Sequence, residues 1–575
     1  MENAQVARLF AELADLLEIA GENPFKTRAY RAFAETARTH GEPLAAIAAR
    51  GELEALPGVG KAIAAKVDAA IATGSFPALD RARGQIPESV QRLLEVPELG
   101  PRIVRTLWKD AGVQSLGELA YACEENKLAH LPGFGVERQA RVLGATRALL
   151  EKGDGFLLAM AVVATRGIES LLRAAGAAEV RAVGDARRGV EIVRSLLVLV
   201  RGMRVDRVVA ALDAKPELEG ARAQAASDGA TLVTHGLPVR VRVVPDAQWV
   251  HALLVETGDD AHVAWLRARA KEASETTRQD LPVVCAKAAN EEAAYKALGL
   301  PFIPPELREG PVPKLPDGLV EPEDVRGFFH VHTDWSDGTA SVIAMVRAAA
   351  RAGYEYVGIS DHSRAASYAN GLDPARLAEQ ARTIAAARQE AEEAKGCAIL
   401  HGIEVDILPD GSLDLPDDVL AELDFVIASV HTKLTMSEEE MTARIVRAVS
   451  HPLVTILGHP TGRLLLARRG YAFDLDAVTR AAVANDTYLE INANAQRLDL
   501  SDAMVKQAAR GGAKFAIDPD AHAEHAVEET LLGVMVARRA GLTRDQVLNA
   551  QSREALTSAL AARKARKLRA LRGGW

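Results

Sequence analysis

Cysteine is scarce. The 575 residues hold Cys123, Cys285 and Cys397, far apart and in no pairing motif. That excludes a disulfide framework and fits a reducing compartment. Aromatic residues make up 4% of the chain, too few for stacked bases to be its main grip on a nucleic acid. No apolar run reaches the roughly 18 residues that span a bilayer. The opening MENAQVARLF lacks the charged and apolar regions of a signal peptide. A cytoplasmic protein without a membrane partner is therefore expected. Positive charge is not in excess either: the formal net charge is −9, so bulk charge does not mark a nucleic-acid binder. The exception is the tail RKARKLRALR from Arg563, which reads either as a solvated helix end or as an arm that contacts phosphate.

What is present is length, repetition and histidine. A chain this long implies several domains. Residues 1–50 carry apolar positions at helical spacing. Three related pieces follow, LPGVGKAIAAKV from Leu56, VPELGPRIVRTL from Val96 and LPGFGVERQARV from Leu131. Each joins a turn to a helix start, an internal repeat of a short motif. Backbone N–H groups at such a helix start, with the helix dipole, hold phosphate without reading bases. Gly58, Gly60 and Lys61 of the first piece and Gly133 and Gly135 of the third are the candidate DNA contacts. Glu98 stands in the second where Gly58 stands in the first, which weakens its case.

Strand-like runs then alternate with helices from about residue 155 to 300. The proline-dense PFIPPELREGPVPKLPDG reads as a linker. Beyond it, short apolar strands alternate with helices, as in a parallel barrel that places its site at the strand ends. Nine of the 14 histidines fall between His330 and His525. His330 and His332 are two apart, so on a strand both imidazoles face one metal. Asp337 follows in a turn, and His362, Glu404, His431, His459, Asp520 and His522 close later apolar runs. Imidazoles mixed with carboxylates suit Zn²⁺ or Mn²⁺. Arg463 and Lys433, in GHPTGR and HTK, are candidates to hold phosphate.

This set resembles the PHP (polymerase and histidinol phosphatase) family of phosphoesterases. The resemblance implies a distorted seven-stranded barrel holding three divalent ions. One would sit on His330, His332, Glu404 and Asp520, a second on Glu404, His431 and His459, and a third on Asp337, His362 and His522. Glu404 would bridge, and Glu404, Asp520 and Arg463 would carry the catalysis.

The order of all pieces resembles the bacterial family X DNA polymerases that end in a PHP nuclease. The fold class implied is multidomain α/β: a helix-hairpin-helix region, an α+β palm and thumb, and a (β/α)7-like barrel. The boundaries expected are 1–85 for a DNA-end-binding domain and 86–150 for a fingers-like region. A palm follows at 151–235, a thumb at 236–305, a linker at 306–323 and the barrel at 324–575.

In that family a Gly-Ser turn, paired arginines and a glutamate precede a strand carrying Asp-x-Asp. Here Gly184, Arg187, Arg188 and Glu191 are kept, Asp185 replaces the serine, and the aspartate positions are Ser195 and Leu197. The third aspartate position is Arg240, and a Thr-Gly-Ser element reads Thr257, Gly258 and Asp259. Asp206 and Asp213 are the nearest carboxylates that could stand in.

The reading is a monomeric DNA-repair nuclease of the bacterial cytoplasm. It would act on gapped, nicked or 3′-ended DNA as a 3′-5′ exonuclease, with abasic-site cleavage or 3′-phosphate removal as related activities. Lys61 or Lys66 could support lyase chemistry only with a depressed pKa. The alternatives are a working gap-filling polymerase with proofreading and a small-molecule phosphatase.

Overall fold

In the computed structural model the described residues are 1–128, 131, 134–150, 155–272, 280–312, 314–366, 369–393 and 396–572. They form two compact units, one of residues 1–124 with 128–150 and one of residues 125–127 with 151–575.

The first unit is helical. In helix Asn3–Ala20 the apolar Val6, Phe10, Leu13 and Leu17 recur at three and four residues, and all are buried. Each such burial contributes roughly 1.5–3 kcal/mol. The helix stops at Gly21, whose φ of 79° is left-handed. Phe10 packs edge-on against Phe33 of helix Pro24–Thr39, with ring centres 4.6 Å apart. One continuous core runs from Val6 to Val142, so the boundary expected at residue 85 does not separate two cores.

The described residues of the three repeats share one backbone hydrogen bond. Val59 N–H donates to the Leu56 carbonyl at 3.1 Å, Leu99 N–H to Val96 at 3.2 Å and Phe134 N–H to Leu131 at 2.9 Å. Burial of Val59, Leu99 and Phe134 pins each turn to the core. A helix then starts after Gly60, Gly100 or Gly135, namely Lys61–Thr73, Pro101–Lys109 and Val136–Leu150. The left-handed residue of the first turn is Gly58, at φ 78°; Gly60 is extended, at φ −94°. In the second turn Glu98 takes the same left-handed conformation, at φ 71°, which costs a residue with a Cβ about 1–2 kcal/mol. Its carboxylate pairs with Arg141 at 3.0 Å. Pro101 also removes one N–H from that helix start. Gly133 lies outside the described residues.

In the second unit, strand Phe156–Leu157 and helix Leu158–Ala174 precede a five-stranded mixed sheet in the order Glu179–Val183, Leu196–Arg201, Leu237–Val243, Gly229–Thr234, Gln224–Ala226. Leu196–Arg201 and Leu237–Val243 run parallel. The expected boundary at 235/236 therefore cuts through this sheet, whose middle strand is Leu237–Val243. Helices Trp249–Thr257, Asp260–Glu272, Leu281–Ala286 and Glu291–Ala297 follow around a core that includes Trp249, Leu253, Leu266 and Tyr295.

The expected linker is not a free tether. Arg308 is fully buried, Glu306 pairs with Arg538 at 2.8 Å, and Glu309 pairs with Arg539 at 3.0 Å. Its prolines shape a pinned segment.

The rest is a parallel barrel. Gly327–Phe328 pairs with Tyr356–Ile359, which pairs with Ala398–His401. After a break at Gly402 and Ile403 the chain resumes as Glu404–Asp406. From there parallel pairing continues through Ile427–Ser429, Ile456–Leu457, Tyr488–Asn492 and Phe515–Asp518. A bridge between Val331 and Ala521 closes the ring. Counting the interrupted strand once, the described residues form seven barrel strands.

The basic tail belongs to helix Arg553–Arg572. Arg563 donates to the Asp486 carbonyl at 3.0 Å, Lys564 to Leu423 at 2.9 Å and Lys567 to Asn485 at 2.7 Å. These cations cap backbone carbonyls of the barrel, so for them neither the solvated end nor the phosphate arm describes the packing.

Candidate metal centre

Every expected ligand lies at or just beyond the C-terminal end of a barrel strand, or opens the resumed strand at Glu404. His330 and His332 follow Gly327–Phe328, and Asp337 sits in the next turn. His362 follows Tyr356–Ile359, His431 follows Ile427–Ser429, His459 follows Ile456–Leu457, and Asp520 and His522 follow Phe515–Asp518. Parallel strands place their carboxyl ends on one rim, which is where such barrels build sites.

The nine side chains converge in four overlapping groups: His332, Asp337, His362 and His522; His330, His332 and Asp520; His330, Glu404 and His459; His362, Glu404 and His431. Glu404 is central. Its carboxylate lies 3.3 Å from His330, 3.7 Å from His332, 2.7 Å from His362, 3.3 Å from His431 and 3.0 Å from His459. Two ligands sit in left-handed backbone, His459 at φ 24° and Asp520 at φ 52°. Such strain persists only where the surroundings enforce it.

The donor set fits divalent cations. His330 Nε2, both ring nitrogens of His332, Asp337 Oδ2, Glu404 Oε2 and His522 Nε2 are buried and make no hydrogen bond. A buried polar atom without a partner costs about 1–3 kcal/mol. Bound cations would use those lone pairs.

Electrostatics agree. Burial pushes the Glu404 carboxyl up, yet His431, His330 and His362 hold it well below the usual range. Burial pushes His362 down, but Asp337 and Glu404 outweigh it and raise the imidazole to about 9. His330 and His522 are likewise held well above their ordinary value, against burial, by neighbouring carboxylates. Burial dominates at His332, lowered to about 4, and at His459, lowered to about 3.

The raised imidazoles carry protons near neutral pH when no cation is bound, and a cation must displace them. Mn²⁺ binding is therefore expected to release protons and to tighten as pH rises from 6 toward 9. Calorimetry in buffers of different ionisation enthalpy reads both; zero proton release with pH-independent affinity would contradict this expectation.

Some residues of the centre were missed in the sequence. Glu490 accepts from His330 Nδ1 at 2.6 Å, and Asp406 meets His431 Nδ1 at 3.1 Å. Carboxylates behind ligating imidazoles fix their orientation and raise their basicity. Asn492 donates to Asp520 at 3.1 Å. The signal was present: Asp406 is two residues beyond Glu404 on one strand, and Glu490 and Asn492 alternate along YLEIN.

Arg463 is placed otherwise than expected. It donates to Glu191 at 2.6 and 3.2 Å, to the Arg497 carbonyl at 3.0 Å and to the Leu498 carbonyl. These contacts commit four of its five N–H donors, so it braces the loop after His459 rather than offering itself to phosphate. Lys433 is exposed, with φ 56°, two residues beyond His431.

The polymerase-like positions do come together. Leu197 and Arg240 are register partners on the parallel strands, and exposed Ser195 immediately precedes the first of them. Arg240 reaches to Asp228 at 3.0 Å. Asp206 pairs with Arg204 at 3.0 Å and Asp213 with Arg222 at 3.1 Å.

The expected nucleotide contacts are turned inward. Arg187 holds Glu291 at 2.6 Å and the Thr257 hydroxyl at 3.0 Å, and Arg188 donates to the Thr257 carbonyl at 2.7 Å and pairs with Asp185. Gly184 is left-handed at φ 66°. A Cβ at Gly258 would lie 2.9 Å from the His262 ring. Asp259 caps the next helix, accepting from His262 N–H at 2.6 Å. The charges of Asp185 and Asp259 are thus satisfied within the chain.

Four protein families match parts of the chain. Residues 1–76 match a helix-hairpin-helix domain and residues 90–145 a SAM-like helix-hairpin-helix tandem. Residues 252–309 match the DNA polymerase beta thumb, and residues 329–494 match the PHP domain. The DNA polymerase/3′-5′ exonuclease PolX of Bacillus subtilis (strain 168) is 32% identical over 565 residues, covering 96% of this chain and 98% of that one. A "Probable phosphatase" of Thermoanaerobacter sp. (strain X514) is 33% identical over 168 residues, 28% of this chain and 66% of its own. Another, from Clostridium novyi (strain NT), is 36% identical over 100 residues, 17% of this chain and 38% of its own.

Proposed function

The chain belongs to the bacterial PolX family of DNA polymerase/3′-5′ exonucleases, and from that premise we propose that its barrel hydrolyses phosphodiesters at DNA 3′ ends while its polymerase-like sheet adds no nucleotides. The observation that carries the first half is the convergence of nine ligand-type side chains, Glu404 among them, in four overlapping groups. His330, His332, Glu404 and Asp520 would hold one ion, Glu404, His431 and His459 a second, and Asp337, His362 and His522 a third. Clustered divalent ions, when bound, lower the pKa of water and neutralise phosphate oxygens. The chain's own groups do the rest. Glu404 ties the sites together, Glu490 and Asp406 aim two imidazoles, and Lys433 is free to meet an incoming phosphate.

Loss of synthesis rests on Ser195, Leu197 and Arg240. Nucleotidyl transfer needs carboxylates to hold divalent ions, and none of these three supplies one. DNA is the substrate because helix-hairpin-helix turns and a polymerase-type thumb share the chain with the barrel. Those same elements argue against a small-molecule phosphatase. Mn²⁺-supported release of nucleotides from 3′-labelled gapped DNA is the direct test. Activity on free phosphate monoesters with none on DNA would overturn the assignment.

Binding to DNA would run through the first repeat. The N–H groups of Lys61 and Ala62 start a helix and have no intrahelical acceptor. Gly58→Val strains a left-handed turn, whereas Gly60→Val sits in allowed backbone facing open space. Gly60→Val is therefore expected to weaken DNA binding while leaving the melting temperature unchanged, and Gly58→Val to lower both. Binding should fall steeply with salt and depend little on sequence. Fluorescence anisotropy across salt concentrations reads this; wild-type affinity in Gly60→Val would count against phosphate approach at this turn.

A further inference from the structure

Three imidazoles of the centre share one arrangement: Nδ1 meets a buried carboxylate outside the nine ligands, and Nε2 faces the ligand cluster. For His330, Nδ1 lies 2.6 Å from Glu490 and Nε2 lies 3.3 Å from Glu404. For His431, Nδ1 lies 3.1 Å from Asp406 and Nε2 lies 3.3 Å from Glu404. For His522, Nε2 lies 3.4 Å from Asp337, and Nδ1 is in contact with Glu125 Oε2. Glu490 and Asp406 belong to barrel strands. Glu125 does not; it stands far upstream in the sequence, in a short piece, residues 125–127, that groups with the barrel's own unit.

Nothing in the sequence pattern of ligands or in the matched families assigns Glu125 a role. Its side chain is nonetheless built in. The residue is 7% exposed, and its Oε1 accepts from Asn494 Nδ2 at 2.9 Å. A carboxylate buried this far is rare without a partner, and the partner here is an imidazole of the candidate centre. We propose that Glu125 is a positioning residue for the ion site of Asp337, His362 and His522. Its Oε2, in contact with Nδ1, favours the tautomer of His522 that carries its proton on Nδ1 and leaves the Nε2 lone pair toward Asp337. The Asp520 carbonyl, 3.0 Å from the same Nδ1, favours the same tautomer. Glu125 adds the negative charge that a carbonyl lacks, which raises the basicity of the ligating nitrogen. The occupancy of one ion site is thereby tied to a side chain that the barrel strands do not supply.

This inference rests on the metal-centre reading above, and the test separates the two. Full-length wild type, Glu125→Gln, Glu125→Ala and His522→Ala are equilibrated with Mn²⁺ at fixed free concentrations, and ions per chain are counted by mass spectrometry. Glu125→Gln is isosteric and keeps an acceptor for Asn494. Its amide can donate to Nδ1, which would place the imidazole proton on Nε2 and block ligation. Glu125→Gln and Glu125→Ala are expected to weaken one ion site about 10–100-fold, in the range of outer-shell changes, and to leave the other sites as they were. Co²⁺ loading provides a second readout: the visible bands of one site should change in Glu125→Gln as they do in His522→Ala. Circular dichroism and thermal melting check that both Glu125 variants fold. If His522→Ala loses an ion and both folded Glu125 variants bind Mn²⁺ and Co²⁺ as wild type does, the role of Glu125 is overturned and the centre stands. If His522→Ala loses none, the ligand assignment fails and the role of Glu125 falls with it.

Discussion

Glu404→Ala is expected to abolish metal-supported shortening of DNA from the 3′ end, the largest effect of any single change in the barrel. The carboxylate lies within 3.7 Å of five imidazoles and would serve two ions. Changing an outer-shell partner costs about 10–100-fold in metal affinity or activity; removing a shared ligand should cost well beyond that. The loss should be chemical rather than a loss of fold, because the barrel core of Val405, Ala428, Leu457 and Ile517 is untouched. Metal content, circular dichroism and nuclease rate measured on one preparation distinguish the two. Unchanged hydrolysis in a folded Glu404→Ala protein would remove the barrel from the reaction.

The second large effect is an absence of synthesis. Glu404→Ala protein given a primed template, all four nucleotides and Mn²⁺ is expected to extend no primer. Ser195 offers a neutral oxygen and Leu197 offers none. Carboxylates that could stand in are already engaged: Asp206 by Arg204, Asp213 by Arg222, Asp228 by Arg240 and Glu256 by Arg242. The arginines that would meet a triphosphate are engaged as well, Arg187 by Glu291 and Arg188 by Asp185 and Glu309. Restoring Ser195→Asp, Leu197→Asp and Arg240→Asp together would return the ligands but leave those arginines in their ion pairs. The triple variant is therefore expected to extend primers weakly at best. Templated addition by the unrestored protein, at enzyme-to-primer ratios that exclude a contaminant, would show that the sheet is active.

The candidate centre was legible because its ligands obey local rules. A histidine pair two apart on a strand and acids at strand ends announce themselves one strand at a time. Partners reached through space do not. The alternation of Glu490 and Asn492 along YLEIN puts both on one face but does not name the imidazole that Glu490 meets, and nothing local to Glu125 points to His522. Arg463 misled for the same reason: its position after His459 suggests a phosphate ligand, while Glu191, which holds it, lies in the polymerase-like region. The repeat of glycine turns was plain in the sequence, but which glycine carries the left-handed conformation was not. The buried neighbours Val59, Leu99 and Phe134 fix each turn, and this puts the positive φ at Gly58 and forces it on Glu98. The edge expected at residue 235 came from the family resemblance, and strand pairing carries the five-stranded sheet on to Val243.

One measurement addresses the central claim most directly. Wild-type protein and Glu404→Ala are each incubated with gapped DNA labelled in the primer, Mn²⁺ and all four nucleotides, and primer length is followed. Wild type should shorten the primer from its 3′ end and Glu404→Ala should leave it unchanged. Lengthening by either protein, or equal shortening by both, would contradict a chain that works on DNA ends through its barrel alone.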